Sequence, residues 1–113
     1  MFYPLVFVFP PVPPLAPSDL SVSDVTDSSV TLKWAAATSA DSSPIENYVI
    51  DTQDINGKVL HTAQVSNTEQ TYCANNLAEK TSYLFSVKAQ NVAGFSETVT
   101  LSSPVTTKAK IGV

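Results

Sequence analysis

The stretch SVTLKW, residues 29–34, alternates without a slip: Val30, Leu32 and Trp34 share one side, Thr31 and Lys33 the other. A period of two is that of a half-buried β-strand, whose successive side chains face opposite sides of a sheet. Two more runs build the same pattern around a ring. ENYVID, residues 46–51, carries Tyr48 and Ile50, and TSYLFSVKAQN, residues 81–91, carries Tyr83, Phe85, Val87 and Ala89. One Trp and two Tyr spread over three strands suit the centre of two sheets packed face to face.

Outward from these runs the chain keeps to short strands and turns. LSVSDV at 20–25 offers Leu20, Val22 and Val25 with one slip, and Asp27-Ser28-Ser29 reads as a turn. Asn56-Gly57 is a two-residue hairpin signal, read here as a type I′ turn with positive φ at both positions. KVLHTAQV (58–65) and QTYCANNL (70–77) are strands, and SETVTLSSPVTT (96–107) is the last, with Pro104 at a bulge or edge. β-Branched residues dominate, and no apolar set recurs at helical spacing. The pattern predicts an all-β fold: a seven-stranded antiparallel immunoglobulin-like β-sandwich with Greek-key connections. Its expected core is Leu20, Val22, Val30, Leu32, Trp34, Tyr48, Ile50, Leu77, Tyr83, Phe85 and Val87.

A chain of 113 residues suits one domain, and 43% hydrophobic with 14% charged residues makes it globular. The six bases are all Lys and the net charge is −4, which argues against nucleic acid as a partner. Residues 1–57 hold seven acids against Lys33 alone, whereas residues 58–113 hold three against five Lys. That imbalance reads as a solvated surface rather than as head-to-tail matching of tandem copies. Cys73 stands alone, so no intrachain disulfide forms, and no Asn-x-Ser/Thr acceptor is present; both lean towards a cytoplasmic setting. MFYPLVFVFP at the start lacks a basic region and a cleavage site, and is too short to cross a bilayer. Six of the eight prolines fall in residues 1–17. The expected division is a Pro-rich leader or linker at 1–16, a domain at 17–108 and a tail at 109–113.

Catalytic chemistry finds no footing. His61 is the only histidine, and no cysteine or acid sits at ligand spacing from it. Asp24 with Asp27, and Asp51 with Asp54, read as turn caps and solvated faces rather than as a calcium loop. No serine lies in a G-x-S-x-G elbow. Catalytic and metal residues are therefore expected to be none, with no cofactor and no small-molecule substrate. Cys73 should face outward, since alternation turns Tyr72 and Ala74 inward, and reads as an inert thiol. FPPVPP at 9–14 has PxxP spacing and resembles proline-rich ligands of aromatic-lined grooves, though an inter-module linker is the preferred reading.

Taken together, residues 17–108 resemble a fibronectin type III domain. The resemblance rests on Pro17, the L-x-V-x-D-V-T stretch at 20–26, SVTLKW, Tyr48, and the series Leu77, Tyr83, Phe85, Val87, Ala89, Asn91, Gly94 and Ser96. It implies that Trp34 fills the space between the sheets, that the Tyr83 hydroxyl bonds back to the chain near Leu77, and that Asn91 and Gly94 shape the last hairpin. SPIENYVIDTQD and SETVTLSSPVTTK look most like modules of the titin- and twitchin-type giant muscle proteins. Those modules often carry Pro-Pro and Asp-Gly-Gly where this chain has Ala36, Ala37, Asp41, Ser42 and Ser43. They usually read Leu-x-Pro-Gly-x-x-Tyr where it has LAEKTSY.

The resemblance implies a non-catalytic structural and protein-interaction module of a modular muscle or cytoskeletal protein, acting as spacer and docking unit. Its partners would be proteins and neighbouring immunoglobulin-like or fibronectin type III domains. The alternatives are a repeat of a cell-surface adhesion receptor or matrix protein, placed outside the cell, and an accessory domain attached to an enzyme. Loops carry recognition in such folds, so the expected contacts are Asp41, Ser42, Ser43, Val92 and Phe95.

Overall fold

The computed structural model describes residues 10–41 and 43–110. The apolar run Leu5–Phe9, Ser42 and residues 111–113 lie outside them. In chain order the strands are β1 (Ser18–Val25), β2 (Val30–Ala35), β3 (Asn47–Gln53), β4 (Val59–Ser66), β5 (Thr71–Ala74), β6 (Ser82–Asn91), β7 (Gly94–Phe95), β8 (Val99–Thr100) and β9 (Val105–Thr106). One sheet has the order β1-β2-β5; the other runs β4-β3-β6, with β7, β8 and β9 all pairing β6. All pairings are antiparallel. The chain changes sheet between β2 and β3, between β4 and β5, and between β5 and β6, which is a Greek-key path.

The seventh strand expected at 96–107 is divided here into β8 and β9, with the short β7 just before it. Gly94 at φ +132° opens β7, and Pro104, which has no N–H to give a ladder, sits just before β9. A second difference lies in the β3–β4 hairpin. Gly57 N–H donates to Asp54 O at 3.0 Å, and Asp54 N–H donates to Lys58 O at 2.9 Å. Only Gly57, at φ +87°, is left-handed, and Asn56 is not. The connection is therefore a three-residue loop, Ile55-Asn56-Gly57, closed by a glycine bulge, and not the type I′ turn. Asp54 Oδ1 accepts from both Asn56 N–H and Lys58 N–H at 2.9 Å, and this capping favours the wider loop.

Burial follows the alternation. Val30, Leu32 and Trp34 of β2, Tyr48 and Ile50 of β3, and Tyr83, Phe85, Val87 and Ala89 of β6 are all buried. Leu20, Val22 and Leu77 are half-buried at the rim of that core, because β1 is an edge strand and Leu77 lies in a loop. Trp34 and Tyr48 meet edge to face, their centroids 5.4 Å apart at 61°. Removing such a ring costs about 3–5 kcal/mol, a large part of a small domain's stability.

The hydroxyl of each of the two most buried tyrosines accepts from a backbone N–H. Tyr48 Oη accepts from Ala37 N–H at 2.9 Å, and Tyr83 Oη accepts from Ala78 N–H at 2.8 Å. Both bonds satisfy a backbone donor that no ladder reaches. Within the β5–β6 connection Lys80 takes φ +47°, a left-handed conformation. This is the position where the resemblance calls for glycine.

Candidate interaction surface

Three segments meet at one end of the sandwich: the β2–β3 loop, the β6–β7 hairpin and the Pro-rich strap of residues 10–17. Proline fixes the strap's φ angles and leaves few N–H groups, so each remaining backbone group matters. Val12 uses both of its own. Its N–H donates to Asp41 Oδ2 at 3.1 Å, and its carbonyl accepts from Asn91 Nδ2 at 2.8 Å. Leu15 N–H donates to Thr38 O at 3.0 Å, and Pro14 and Pro17 are buried. The second half of the segment read as a leader is thus seated on the domain.

Asn91, only 2% exposed, is the hub of this end. Its Oδ1 accepts from Ala93 N–H at 2.8 Å, which shapes the two-residue link Val92-Ala93, while its amide group reaches the strap. On the other side, Asp41 Oδ1 accepts from Ser43 N–H at 2.7 Å. The Ser43 N–H first, and the Val12 N–H second, hold the Asp41 carboxyl below its ordinary value of 3.8.

The expected contact residues have different fates. Asp41 is occupied inside the clasp, and Ser43 is half-buried, its carbonyl accepting from the Ser39 hydroxyl. Ser42 lies outside the described residues. Val92 is 67% exposed at the hairpin tip. Phe95, 47% exposed, stands one strand position beyond the hairpin, with Lys88 Nζ 4.3 Å from its ring centroid. Asp41 and Val92 therefore share one end, joined through Val12 and Asn91. Nothing in the sequence points to Val12, since its partners lie 29 and 79 residues away.

An open groove of about 410 Å³ lies between the edges of β4 and β5, lined by Leu60, His61, Tyr72, Cys73, Leu77 and Tyr83 among others. Cys73 is exposed, and its Sγ donates to Asn75 Oδ1 at 3.3 Å. Burial, and then the neighbouring Cys73, push the Tyr72 hydroxyl above its ordinary value. Among the described residues no three of His, Cys, Asp or Glu gather as a metal site would need. No helix among them is long and apolar enough to cross a membrane.

A sequence model described as fibronectin type III domain matches residues 15–108. The chain belongs to the fibronectin type III family. This fibronectin type III module is 39% identical over 85 residues to the titin homolog of Caenorhabditis elegans, covering 74% of the chain and 0%, to the nearest percent, of that protein. It is 32% identical to Roundabout homolog 1 of mouse, over 84% of the chain and 6% of the relative. Chitinase C of Streptomyces lividans is 39% identical over 71% of the chain and 12% of its own length. The crystal structure of titin domains A168–A170 superposes with a TM-score of 0.70 at 34% identity, covering 86% of this chain and 33% of that one. The module thus spans a small fraction of the relatives it matches, and those relatives are of unlike kinds.

Proposed function

We propose that this fibronectin type III module is a non-catalytic spacer and docking unit in a modular muscle or cytoskeletal protein of the cytoplasm. The observation that carries the reading is the clasp on Val12. Asp41 and Asn91 hold the segment by which the chain enters the module. A spacer transmits position only if its linker is fixed to its body, and a polyproline-rich strap bonded at both faces is stiff. Likeness in sequence to a titin homolog, and in structure to domains of titin, supports the muscle setting. Its partners are then neighbouring immunoglobulin-like or fibronectin type III domains, with Val92 and Phe95 as the exposed contact residues.

A second reading places the module in a cell-surface adhesion receptor or matrix protein, and the match to Roundabout homolog 1 favours it. An antibody raised against the module separates the two. Staining of a sarcomeric or cytoskeletal lattice in permeabilised cells is the expected result. Staining of intact, unpermeabilised cells contradicts the first reading and supports the second.

A further inference from the structure

We propose that residues 10–13 of the strap are a polyproline ligand, held outward by the module for the aromatic-lined groove of a partner domain. The inference goes beyond the spacer reading and holds in either setting of the parent protein. Pro10, Pro11, Pro13 and Pro14 fix φ near that of a polyproline II helix, and a residue that precedes proline is kept out of the helical region. Pro10, Val12 and Pro13 all precede one. Sequence alone therefore favours polyproline II along this stretch. With about three residues per turn, Pro10 and Pro13 share one edge of such a helix, and Pro11 and Pro14 another. The domain treats the edges differently: Pro14 is buried, whereas Pro10, Pro11 and Pro13 are exposed. Val12 is 40% exposed although both of its backbone groups are bonded.

Spacing and order select the partner. Grooves that read polyproline take rings at PxxP spacing, and Pro10 and Pro13 present that spacing to solvent. A free peptide loses conformational freedom when such a groove orders it. Here the bonds from Asp41, Asn91 and Thr38 have already ordered the strap, so less is lost on binding. Charge narrows the class. No charged residue precedes Asp19, and Asp41 spends its carboxylate on Val12 and Ser43. A groove that anchors its ligand on a charged wall finds nothing to hold, which leaves aromatic contact with the proline rings. Val92, 67% exposed on the hairpin that Asn91 ties to Val12, adds apolar surface at the same end.

Titration of an EVH1 domain into the ¹⁵N-labelled 113-residue chain tests this. Saturable shifts of the Val12 and Leu15 amide signals are expected below about 1 mM. Pro10→Ala and Pro13→Ala, both at exposed positions, should each weaken binding roughly tenfold, as loss of an anchor does, and leave the domain folded. Asn91→Asp, which removes the donor to the Val12 carbonyl, should weaken binding roughly two- to tenfold through lost order in the strap. Absence of saturable shifts by about 1 mM overturns the proposal, as does binding indifferent to both proline substitutions. Tighter binding by the Asn91→Asp variant also overturns it, because the clasp would then hide the prolines instead of presenting them.

Discussion

Asn91 and Val12, 79 residues apart, share a 2.8 Å hydrogen bond in which the buried side-chain amide donates to the strap carbonyl. The same side chain accepts from Ala93 N–H, so one residue ties the chain's entry to its last hairpin.

Asn91→Asp separates these two duties. The carboxylate still accepts from Ala93 but sets an acceptor against the Val12 carbonyl. A loss of about 1–3 kcal/mol is expected in urea denaturation. Leu15, whose N–H bonds Thr38, should exchange its amide proton faster, while Ala93 stays protected. Equal loss of protection at both sites would show that the hairpin, not the strap, depends on the bond.

The two core tyrosines should respond unequally to loss of their hydroxyls. Tyr48→Phe leaves the Ala37 N–H unpaired in a buried place, whereas the Tyr83 bond to Ala78 is only part-buried. Tyr48→Phe should cost about 1–3 kcal/mol and Tyr83→Phe about 0.5–1.5 kcal/mol. The reverse order in paired denaturation curves would mean that the Ala37 donor finds another acceptor.

Backbone conformation gives a stabilising change. Lys80 sits at φ +47° and Gly57 at φ +87°. Lys80→Gly relieves a side-chain clash in the left-handed region but adds freedom to the unfolded chain, for a net gain of about 0.5–1 kcal/mol. Gly57→Ala should lose about 1 kcal/mol or more, although no atom lies within 4 Å of the added methyl. Thermal melts of both variants check the pair; a Lys80→Gly variant that melts lower would deny the strain.

The clasp should also loosen in acid. The folded Asp41 carboxyl is depressed below 3.8, so its contribution is complete above that pH and is lost as pH falls through the lower, folded value. The amide signals of Ser43 and Val12 should titrate together in NMR spectra, with a midpoint below 3.8. A midpoint at or above that value would remove the charge-assisted bonds from the account.

What the sequence discloses, and what it hides, follows from range. Alternation is local, so the inward set Val30, Leu32, Trp34, Tyr48, Ile50, Phe85 and Val87 is legible in the residues themselves, and all of them are buried. The tyrosine corner is legible only through resemblance, because nothing local links Tyr83 to Ala78. The β3–β4 connection departs from the expected type I′ turn because Asn-Gly alone does not reveal that Asp54 caps two N–H groups. The clasp is hidden for a related reason. Asp41 reads as an exposed loop acid, yet its partner Val12 lies in a proline-rich segment that reads as a linker.

Val12 and Leu15 make this linker part of the module's rigid body. Backbone ¹⁵N order parameters at Val12 and Leu15 test it most directly. Values near those of β6, about 0.85, are expected; values below about 0.6 at both residues would show a free tether and rule out the spacer reading.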